Sequence, residues 1–404
     1  MLPLTKPTVT VVGAGFSGLT TAYYLVKAGA RVCLIERNDR PGGLLGTLRT
    51  EHGLVETAAN GILNSARLEA LCADVGARLI APRSGASARY IWRGKPRRWP
   101  LKAGESIRVL TGLLSNATAL RGKPQETIVG WGQRVLGNGA TRFALVPALS
   151  GIYAGDEQRL SAGLIFARRT PDPVNQQKPQ QRGTVAPAQG MQELIDRLTE
   201  YLQRNGAEFH FNQAAELRSG QPAAICTSAS QAVNVLREIA PDVSAAFGRV
   251  EMLSLVTATC FYQRHPQQPQ GFGCLFPREQ GFRARGALFN DCLFEGRSQV
   301  RSETWIYGGA LDPEIIGLPD DELRNVLSED HARLTGVTQT PLSIHITRWP
   351  QALPHYTLEL EQILATLPAL PKGVALTGNY LGQIGLAKIL SRAAQTAAAI
   401  VNTL

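Results

Sequence analysis

Three glycines and one acid near the amino terminus have the spacing of a loop that binds a dinucleotide. Gly13, Gly15 and Gly18 lie within six residues, and Glu36 follows 18 residues after Gly18. In such a loop the first glycine permits a tight turn, the second lets a pyrophosphate approach the backbone, and the third lets a helix pack close to a strand. The Glu36 carboxylate can then accept hydrogen bonds from both ribose hydroxyls of an adenosine. The spacing therefore predicts dinucleotide binding.

The elements around this loop must hold it between two strands. A β-branched run over residues 8–12 predicts a strand, a helical pattern follows Gly18, and a second predicted strand over residues 31–35 ends on Glu36. This is one βαβ unit, and the amides that open its helix would face the phosphates. A glycine-rich turn in any α/β protein is the alternative, but strand, helix and acid at these distances favour the dinucleotide site. The predicted contacts also include Phe16, Ser17 and Arg37.

A second glycine turn follows at Gly42, Gly43 and Leu44, six residues past the acid. Rossmann dehydrogenases have no need of a second glycine turn at this place. The turn resembles the second signature of the FAD-dependent amine oxidase superfamily, in which it passes near the flavin phosphates. The resemblance implies FAD as the cofactor.

The carboxy terminus repeats the pattern of a strand, a glycine turn and a helix. A predicted strand over residues 373–376 leads into a turn, and an alanine-rich helix over residues 386–401 ends the chain. A glycine turn at a helix amino terminus offers amides and a positive dipole end to the flavin's pyrophosphate or pyrimidine edge. A terminal packing helix is the alternative. The predicted flavin contacts here are Gly378, Asn379, Tyr380, Gly385 and Leu386.

Composition limits the other classes of function. The 404 residues leave room for two or three domains, and 44% hydrophobic content is ordinary for a globular chain. The six cysteines are scattered without a CxxC pair or a Cys/His cluster, so we predict neither a disulfide framework nor a metal site. We expect a reducing cytoplasm. The sequence shows no signal-peptide pattern and no apolar run of 18 or more residues.

The net charge of +10 is concentrated in one segment. Residues 83–182 hold 17 Lys and Arg against five acids, a local charge of +12, so the remainder carries about −2. Nucleic acid, anionic lipid or a polycarboxylate substrate could each attract this segment. No recognition-helix, RRM or zinc-finger pattern accompanies the charge, so nucleic acid is the least favoured partner.

Five blocks of sequence resemble, in order, those of the protoporphyrinogen oxidase family, which includes the coproporphyrinogen III oxidases. The most specific is the block over residues 149–161, with Gly-x-Tyr-Ala-Gly-Asp followed by Leu-Ser. The others lie at residues 89–95, 271–294, 348–356 and 378–380. The fourth block carries Trp349, which the resemblance places on the flavin side.

The resemblance implies an α/β fold in which a Rossmann-like FAD-binding domain of amine oxidase type is interleaved with two others. These are a mixed-sheet substrate domain and a mostly helical, basic domain that faces substrate or membrane. We expect the FAD-binding domain at residues 1–82, 183–250 and 356–404, the helical domain at 83–182 and the substrate domain at 251–355. The Pro- and Gln-rich stretch over residues 170–181 is expected to be a loop.

The implied activity is six-electron oxidation of protoporphyrinogen IX to protoporphyrin IX in haem biosynthesis, with oxygen as acceptor and release of hydrogen peroxide. By resemblance Arg89 holds a substrate carboxylate, Leu275 and Phe294 hold pyrrole rings, and Ala154 and Gly155 leave space beside them. A flexible apolar macrocycle with rim carboxylates requires such apolar walls and a cation. No catalytic side chain is expected, because the flavin performs the chemistry.

Several alternatives stay open. Coproporphyrinogen III has four propionates and would call for more cations than the sequence places, so protoporphyrinogen is preferred. Another oxidase of the superfamily is possible, as is a non-catalytic flavin- or tetrapyrrole-binding protein, since residues 56–60 lack a glycine common in the family. The basic segment is either a solubilising surface or a peripheral contact with the cytoplasmic face of the inner membrane through four cations and two tryptophans, and a homodimer is possible. These residues are Arg93, Arg97, Arg98, Lys102, Trp92 and Trp99.

Overall fold

The strands gather into a parallel sheet, a larger mixed sheet and two small sheets. The computed structural model describes residues 7–114, 120–167, 177–382 and 384–404. The strands are β1 (Thr8–Val12), β2 (Arg31–Ile35), β3 (Thr47–Thr50), β4 (Gly53–Glu56), β5 (Ile62–Leu63), β6 (Leu79–Ile80), β7 (Arg89–Trp92), β8 (Pro96–Arg97), β9 (Thr184–Pro187), β10 (Glu208–His210), β11 (Ala223–Ile225), β12 (Met252–Tyr262), β13 (Gly273–Leu275), β14 (Gly286–Phe289), β15 (Arg301–Gly308), β16 (Ser343–Pro354) and β17 (Val374–Leu376). The helices are α1 (Phe16–Lys27), α2 (Ala66–Val75), α3 (Ala103–Leu114), α4 (Ile128–Val135), α5 (Asn138–Ala140), α6 (Val146–Tyr153), α7 (Ala162–Ile165), α8 (Met191–Arg204), α9 (Ala229–Leu236), α10 (Pro241–Gly248), α11 (Asn290–Leu293), α12 (Asp320–Thr335), α13 (Leu358–Ala365) and α14 (Leu386–Val401).

The parallel sheet has the order β10-β2-β1-β11-β17. Its central strands β1 and β11 are almost wholly buried and consist of Val, Ala, Ile and Thr, as burial on both faces favours. Helices α1, α2, α8 and α14 pack in one hydrophobic core against it. Because all five strands run the same way, their carboxyl ends meet at one edge, and ligands bind at that edge where the strand order reverses. The predicted glycine turns follow β1 and β17, so the sheet places both of them there.

The mixed sheet has the order β16-β12-β15-β14-β13-β7-β8. Helix α12 covers it through a core that includes Leu323, Leu327 and Leu334. Strands β7 and β8 lie within residues 83–182, the segment that the sequence predicts to be a mostly helical domain. Instead β7 pairs with β13, with Arg89 opposite Gly273, so the strands join the sheet built mainly by residues 251–355. Sequence reasoning missed them because both are short and because β7, which pairs with β8, finds its other partner about 180 residues away.

Several elements begin and end close to the predicted positions. Helix α2 begins after Ser65, whose side chain accepts a hydrogen bond from the Leu68 amide and so caps the helix. The terminal helix has the predicted bounds 386–401. Strand β16 is longer than its predicted core over residues 343–347. The predicted loop over residues 170–181 lies mostly outside the described residues. Among the helices that are described, none is long and apolar enough to cross a membrane.

Candidate active site

The two amino-terminal glycine turns lie directly against each other. The Gly42 amide donates to the Ala14 carbonyl at 2.8 Å, and Gly15 and Gly42 form a parallel bridge. A Cβ placed on Gly43 would lie 3.2 Å from the Gly15 Cα. The turns therefore form one backbone surface, where a side chain at Gly43 would crowd the first turn.

Gly13 and Gly18 are required by the backbone itself. Gly13 has φ of +94°, in the left-handed region that favours glycine. A Cβ on Gly18 would lie 1.7 Å from the Gly13 carbonyl oxygen. Gly15 differs, because its φ is −69° and the nearest heavy atom to an added Cβ is 3.8 Å away. Gly13 and Gly18 thus serve the fold, whereas Gly15 leaves space above the turn for a ligand.

The Glu36 carboxylate lies at the carboxyl end of β2, 8% exposed. One oxygen accepts from the Ala14 amide at 2.8 Å, and the other accepts from the backbone amide and side chain of Asn38, each at 2.8 Å. Each carboxylate oxygen has a further acceptor position. Glu36 is therefore fixed beside the first glycine turn, and its contact with a ribose stays a prediction.

Two helices present unprotected amino termini at this edge of the sheet. Helix α1 begins after Gly15 and α14 after Gly385, and within the described chain no side chain caps either helix. Neither first turn contains an acid. The free amides and the positive dipole ends suit an anion. Together with the space above Gly15, they fit the diphosphate of a flavin dinucleotide.

The other predicted flavin contacts are spread around the same edge. The Trp349 indole donates to the Thr57 carbonyl at 2.8 Å, and the Leu44 carbonyl accepts from the Thr57 hydroxyl at 2.8 Å. Arg37 is exposed and donates to Gln231 on α9 at 2.9 Å. Phe16 is buried, and the Ser17 carbonyl accepts from the hydroxyls of Thr20 and Thr21 within α1.

The turn after β17 is held mainly by its own packing. A Cβ on Gly378 would lie 2.3 Å from the Tyr380 ring, and the Asn379 carbonyl accepts from the Tyr356 hydroxyl. Tyr380 itself is fully buried, with its ring 5.0 Å from that of Phe247. A flavin contact at Tyr380 would therefore come from its backbone.

The segment that departs from the family pattern, residues 56–60, begins with a buried structural acid. Glu56 forms an ion pair with Arg297 at 2.9 Å, and both side chains are less than 5% exposed. It also accepts from the Thr47 hydroxyl at 2.6 Å and from the Met191 amide at 3.1 Å. Because Gly190 lacks a capping side chain, Glu56 caps α8 from a distant part of the chain. It thereby joins the FAD-binding sheet's helices to the loop before β15.

Arg89 and Leu275 lie on the neighbouring strands β7 and β13 of the mixed sheet. Arg89 is exposed, and its guanidinium lies 4.4 Å from the centre of the Phe272 ring. No carboxylate within the described chain pairs with it. Leu275 is half-buried and lies against Gly151 of α6, where an added Cβ would come within 2.7 Å. Arg89 thus presents an exposed cation against an aromatic ring, and the contact of Arg89 and Leu275 with a substrate stays a prediction.

Ala154, Gly155 and Phe294 occupy tighter surroundings. Ala154 ends α6 in the left-handed conformation, and its carbonyl accepts from the Ala310 amide at 2.9 Å. A Cβ on Gly155 would lie 2.5 Å from Leu160, so protein fills the space that its missing side chain leaves. Phe294 is 2% exposed, in a core cluster with Leu293 and Ala186. Packing explains these three residues, and their contact with a substrate stays a prediction.

Two arginines that the sequence analysis did not select stand near these sites. Arg40 donates to the carbonyls of Gly43 and Leu45 and so places a cation at the second glycine turn. Arg285 is 8% exposed, and it donates to the Ser150 hydroxyl at 2.7 Å and to the Gly308 carbonyl. Burial lowers the pKa of Arg285 to about 10. Only the register of the mixed sheet, which a sequence pattern does not give, brings Arg285 to α6.

Asp330 of α12 holds the loop that carries Arg285, and it predicts a pH effect. It accepts from the amides of Arg283 at 3.2 Å and Ala284 at 2.8 Å, and burial raises its pKa to about 6. A raised carboxyl pKa means that the folded state holds the proton more tightly than the unfolded chain, whose pKa is about 3.9. The contribution of Asp330 to the free energy of unfolding is therefore fully present below pH ~4, and it is lost as the pH rises through ~6.

We expect the free energy of unfolding of the parent protein to fall by roughly 3 kcal/mol between pH 4 and 7 relative to the Asp330→Asn variant, which cannot ionise. Urea denaturation of both proteins across this range measures the difference. Parallel pH profiles for the two proteins would contradict the assignment.

Comparison with known proteins identifies the family. The protein-family model described as flavin containing amine oxidoreductase matches residues 16–216 and 222–398 of the chain. A chloroplastic protoporphyrinogen oxidase of Nicotiana tabacum is 24% identical, covering 98% of this chain and 85% of its own length. A coproporphyrinogen III oxidase of Mycobacterium bovis is 25% identical over 99% of both chains.

Solved structures share the whole fold. A crystal structure from Exiguobacterium sp. 255-15 superposes with a TM-score of 0.77 at 20% identity over 98% of both chains. The cyclohexylamine oxidase of Brevibacterium oxydans gives 0.73 at 16% identity, over 98% of this chain and 99% of its own. The second glycine turn, the acid at the end of β2 and the start of α14 lie within the matched region, which begins directly after Gly15. The chain belongs to the flavin containing amine oxidoreductase family, and it is an oxidoreductase with FAD as its cofactor.

Proposed function

We propose that this enzyme oxidises protoporphyrinogen IX to protoporphyrin IX in haem biosynthesis, removing six electrons with oxygen as acceptor and releasing hydrogen peroxide. The observation that carries the proposal is Arg89, an exposed cation without a carboxylate partner in the described chain, which lies over the Phe272 ring on the strand that neighbours Leu275. A macrocycle with an apolar face and rim carboxylates needs this combination. The names of the two curated relatives support the same substrate class.

The side chains would orient and shield the macrocycle rather than react with it. The chemistry that bound FAD would supply is acceptance of a hydride from a ring carbon of the macrocycle, with oxygen as the final electron acceptor. Glu36, Gly15 and the amino termini of α1 and α14 would hold the dinucleotide. Arg89 would hold a propionate, and Leu275 would cover a pyrrole ring. The pyrrole N–H protons can leave as conjugation develops, so the pocket needs no dedicated base.

Coproporphyrinogen III is the second candidate, because Arg285 adds a cation. Its guanidinium lies beside Ser150 and close to Gly309, where an added Cβ would come within 2.6 Å of it. Gly309 in turn contacts Ala154. A substrate with four propionates could use both Arg89 and Arg285.

Growth of porphyrin fluorescence in air tests the proposal and separates the two substrates. The FAD-loaded protein is given protoporphyrinogen IX or coproporphyrinogen III, and each rate is compared with enzyme-free autoxidation. Acceleration with protoporphyrinogen supports the first candidate, and acceleration only with coproporphyrinogen supports the second. No acceleration with either would contradict porphyrinogen oxidation.

The Arg89→Ala variant is expected to raise KM for the porphyrinogen about tenfold or more, because a charge-assisted hydrogen bond contributes about 1.5–3 kcal/mol. Its melting temperature and FAD content should stay unchanged, since Arg89 is exposed and unpaired in the described chain. Arg98→Ala, which removes an exposed arginine of the same basic segment, is the control and should leave KM unchanged. Equal KM values for all three proteins would exclude Arg89 from the substrate site.

We also propose peripheral contact with an anionic membrane through α3. Three apolar side chains lie on one face of this helix, each at least 60% exposed, and Trp99 nearby is 64% exposed. They are Ile107, Leu110 and Leu114. The exposed cations Arg97, Arg98 and Lys102 flank them. An amphipathic surface of this kind combines apolar insertion with attraction to anionic headgroups.

Two residues expected on this surface are engaged elsewhere. Arg93 forms a two-point ion pair with Glu105 at 2.7 and 3.0 Å, and it lies 3.8 Å from the centre of the Phe143 ring. Trp92 is half-buried, edge-on to Phe282 at 5.0 Å. Sequence reasoning counted charge and aromatic character but had no view of these partners.

Liposome co-sedimentation tests the surface. The parent protein should sediment with anionic vesicles more than with neutral ones, and added salt should release it. A variant with Leu110→Ser and Leu114→Ser should lose this binding, whereas Leu63→Ser, an exposed leucine of β5, should retain it. Equal recovery with both lipids would contradict the proposal. Dimers in lipid-free solution that the double variant abolishes would assign the face to a second copy of the chain instead.

A further inference from the structure

Three side chains of different chemistry meet at the edge of the parallel sheet, away from the glycine turns. The ligand atoms of Cys33, Glu208 and His210 all lie within 4.8 Å of one another. Parallel pairing of β2 and β10 places Glu208 opposite Cys33. His210 is two residues further along β10, so it projects from the same face as Glu208. The cluster therefore follows from strand register, which explains why the spacing of cysteines and histidines along the sequence did not predict it.

The cluster is accessible and otherwise unused. Glu208 and His210 are exposed, and Cys33 is half-buried and in no disulfide. None of these side chains makes a hydrogen bond or an ion pair with another part of the described chain. A thiolate, an imidazole and a carboxylate are together the ligand types that zinc takes in proteins, whereas magnesium and calcium prefer oxygen alone.

The geometry points to a zinc site formed by Cys33, Glu208 and His210, with water in the fourth position. Tetrahedral zinc with bonds of about 2.3 Å to sulfur and about 2.0 Å to nitrogen separates these atoms by about 3.6 Å. The present separations are all within 4.8 Å, so they exceed this by no more than about 1.2 Å, which we expect side-chain rotation to remove without moving either strand. Two of the three ligands are on one strand and the third is on its hydrogen-bonded neighbour, so the backbone already sets their positions.

Zinc at this site would link strand β10 to strand β2, which leads into Glu36, the residue predicted to bind a ribose. The Glu36 amide donates to the His210 carbonyl at 2.8 Å. The amides of Asn212 and Gln213 donate to the carbonyls of Asn38 and Glu36, each at 3.0 Å. Strand β10 lies at the edge of the sheet, and β2 is its one neighbour among the described strands. A metal clip would raise the melting temperature, because it binds the folded state alone.

Isothermal titration of the tag-free, FAD-loaded protein with zinc chloride tests the site. We expect one zinc ion per chain in the parent protein. The variants Cys33→Ser and His210→Gln should each weaken binding about tenfold or more. The control is Cys292→Ser, which removes another half-buried free thiol, and it should bind as the parent does. No binding to the parent protein, or equal affinity in all four proteins, would overturn the proposal.

A second measurement needs no variant and so does not depend on their folding. The rate at which a thiol reagent alkylates Cys33, followed by mass spectrometry, should fall when zinc is added and recover with a chelator. Magnesium should give no protection. Equal alkylation of Cys33 with and without zinc would contradict the site. FAD content and porphyrinogen oxidation are read separately, so failure of the zinc site leaves the proposed function unaffected.

Discussion

Replacing Gly18 by alanine is expected to abolish flavin binding and to destabilise the fold by more than about 4 kcal/mol. The added Cβ would lie 1.7 Å from the Gly13 carbonyl oxygen and 2.9 Å from its carbon, and both are backbone atoms that no rotamer change can move. Helix α1 would have to shift away from the first glycine turn, and its apolar face is part of the main core. The yield of folded protein, its bound FAD and its urea denaturation measure the effect.

Gly104→Ala is the matched control for this variant. Gly104 lies in α3, and no heavy atom is within 4 Å of an added Cβ. Alanine in an exposed helix is favoured over glycine by about 0.5–1 kcal/mol, so this variant should be slightly more stable than the parent. Normal stability and full FAD content in Gly18→Ala would contradict the packing of α1 against the turn.

Gly15→Ala separates the ligand from the fold. Because its Cβ would meet no atom closer than 3.8 Å, the apoprotein should keep its stability within about 0.5 kcal/mol. The same methyl group would stand where the diphosphate approaches, so FAD affinity should fall about tenfold or more. Gly18→Ala should lose both stability and FAD affinity, whereas Gly15→Ala should lose only FAD affinity. Full FAD affinity in Gly15→Ala would place the diphosphate elsewhere.

Replacing Glu56 by alanine is expected to cost about 3–5 kcal/mol of stability, because it leaves Arg297 buried without its partner. The Met191 amide, which opens α8, would lose its acceptor as well. Burial raises the pKa of Glu56 and lowers that of Arg297, so for each group the loss of hydration outweighs the attraction of the other. Urea denaturation at neutral pH measures the cost.

The double variant Glu56→Gln with Arg297→Met tests this explanation. It removes both charges while keeping similar volumes, and the glutamine can still accept from Met191. We expect it to lose less than about 1.5 kcal/mol, clearly less than Glu56→Ala alone. If single and double variants were equally destabilised, a cause other than the unpaired charge would be responsible.

Much of the FAD-binding region could be predicted from the sequence, because the residue patterns that define its strands, turns and helices are local. Strand β1, the turn at Gly13 and helix α1 follow within 20 residues, and their types alone predict the βαβ unit. The position of Glu36 at the end of β2 follows from the same count. The alanine-rich pattern likewise predicts α14, since its length and composition leave little alternative to a helix.

The parts that escaped prediction depend on contacts between distant residues. Strand β7 acquires its partner β13 from far along the chain, and Arg285 reaches α6 only through the mixed sheet. The ion pair between Arg93 and Glu105, which removes Arg93 from the predicted membrane surface, depends on side-chain geometry that the sequence does not show. The role of Glu56 also depends on distant contacts. The sequence of residues 56–60 only left a non-catalytic protein open, whereas in the structure Glu56 joins α8 to the loop before β15.

The most direct test of the central claim is anaerobic titration of the FAD-loaded enzyme with protoporphyrinogen IX, followed by the visible absorbance of the flavin. Each macrocycle gives up six electrons on becoming a porphyrin, and each flavin takes two. The account therefore predicts that one porphyrinogen bleaches three flavins, with porphyrin fluorescence appearing as the absorbance falls. A flavin that dithionite bleaches but that stays oxidised with excess protoporphyrinogen and coproporphyrinogen would contradict the account.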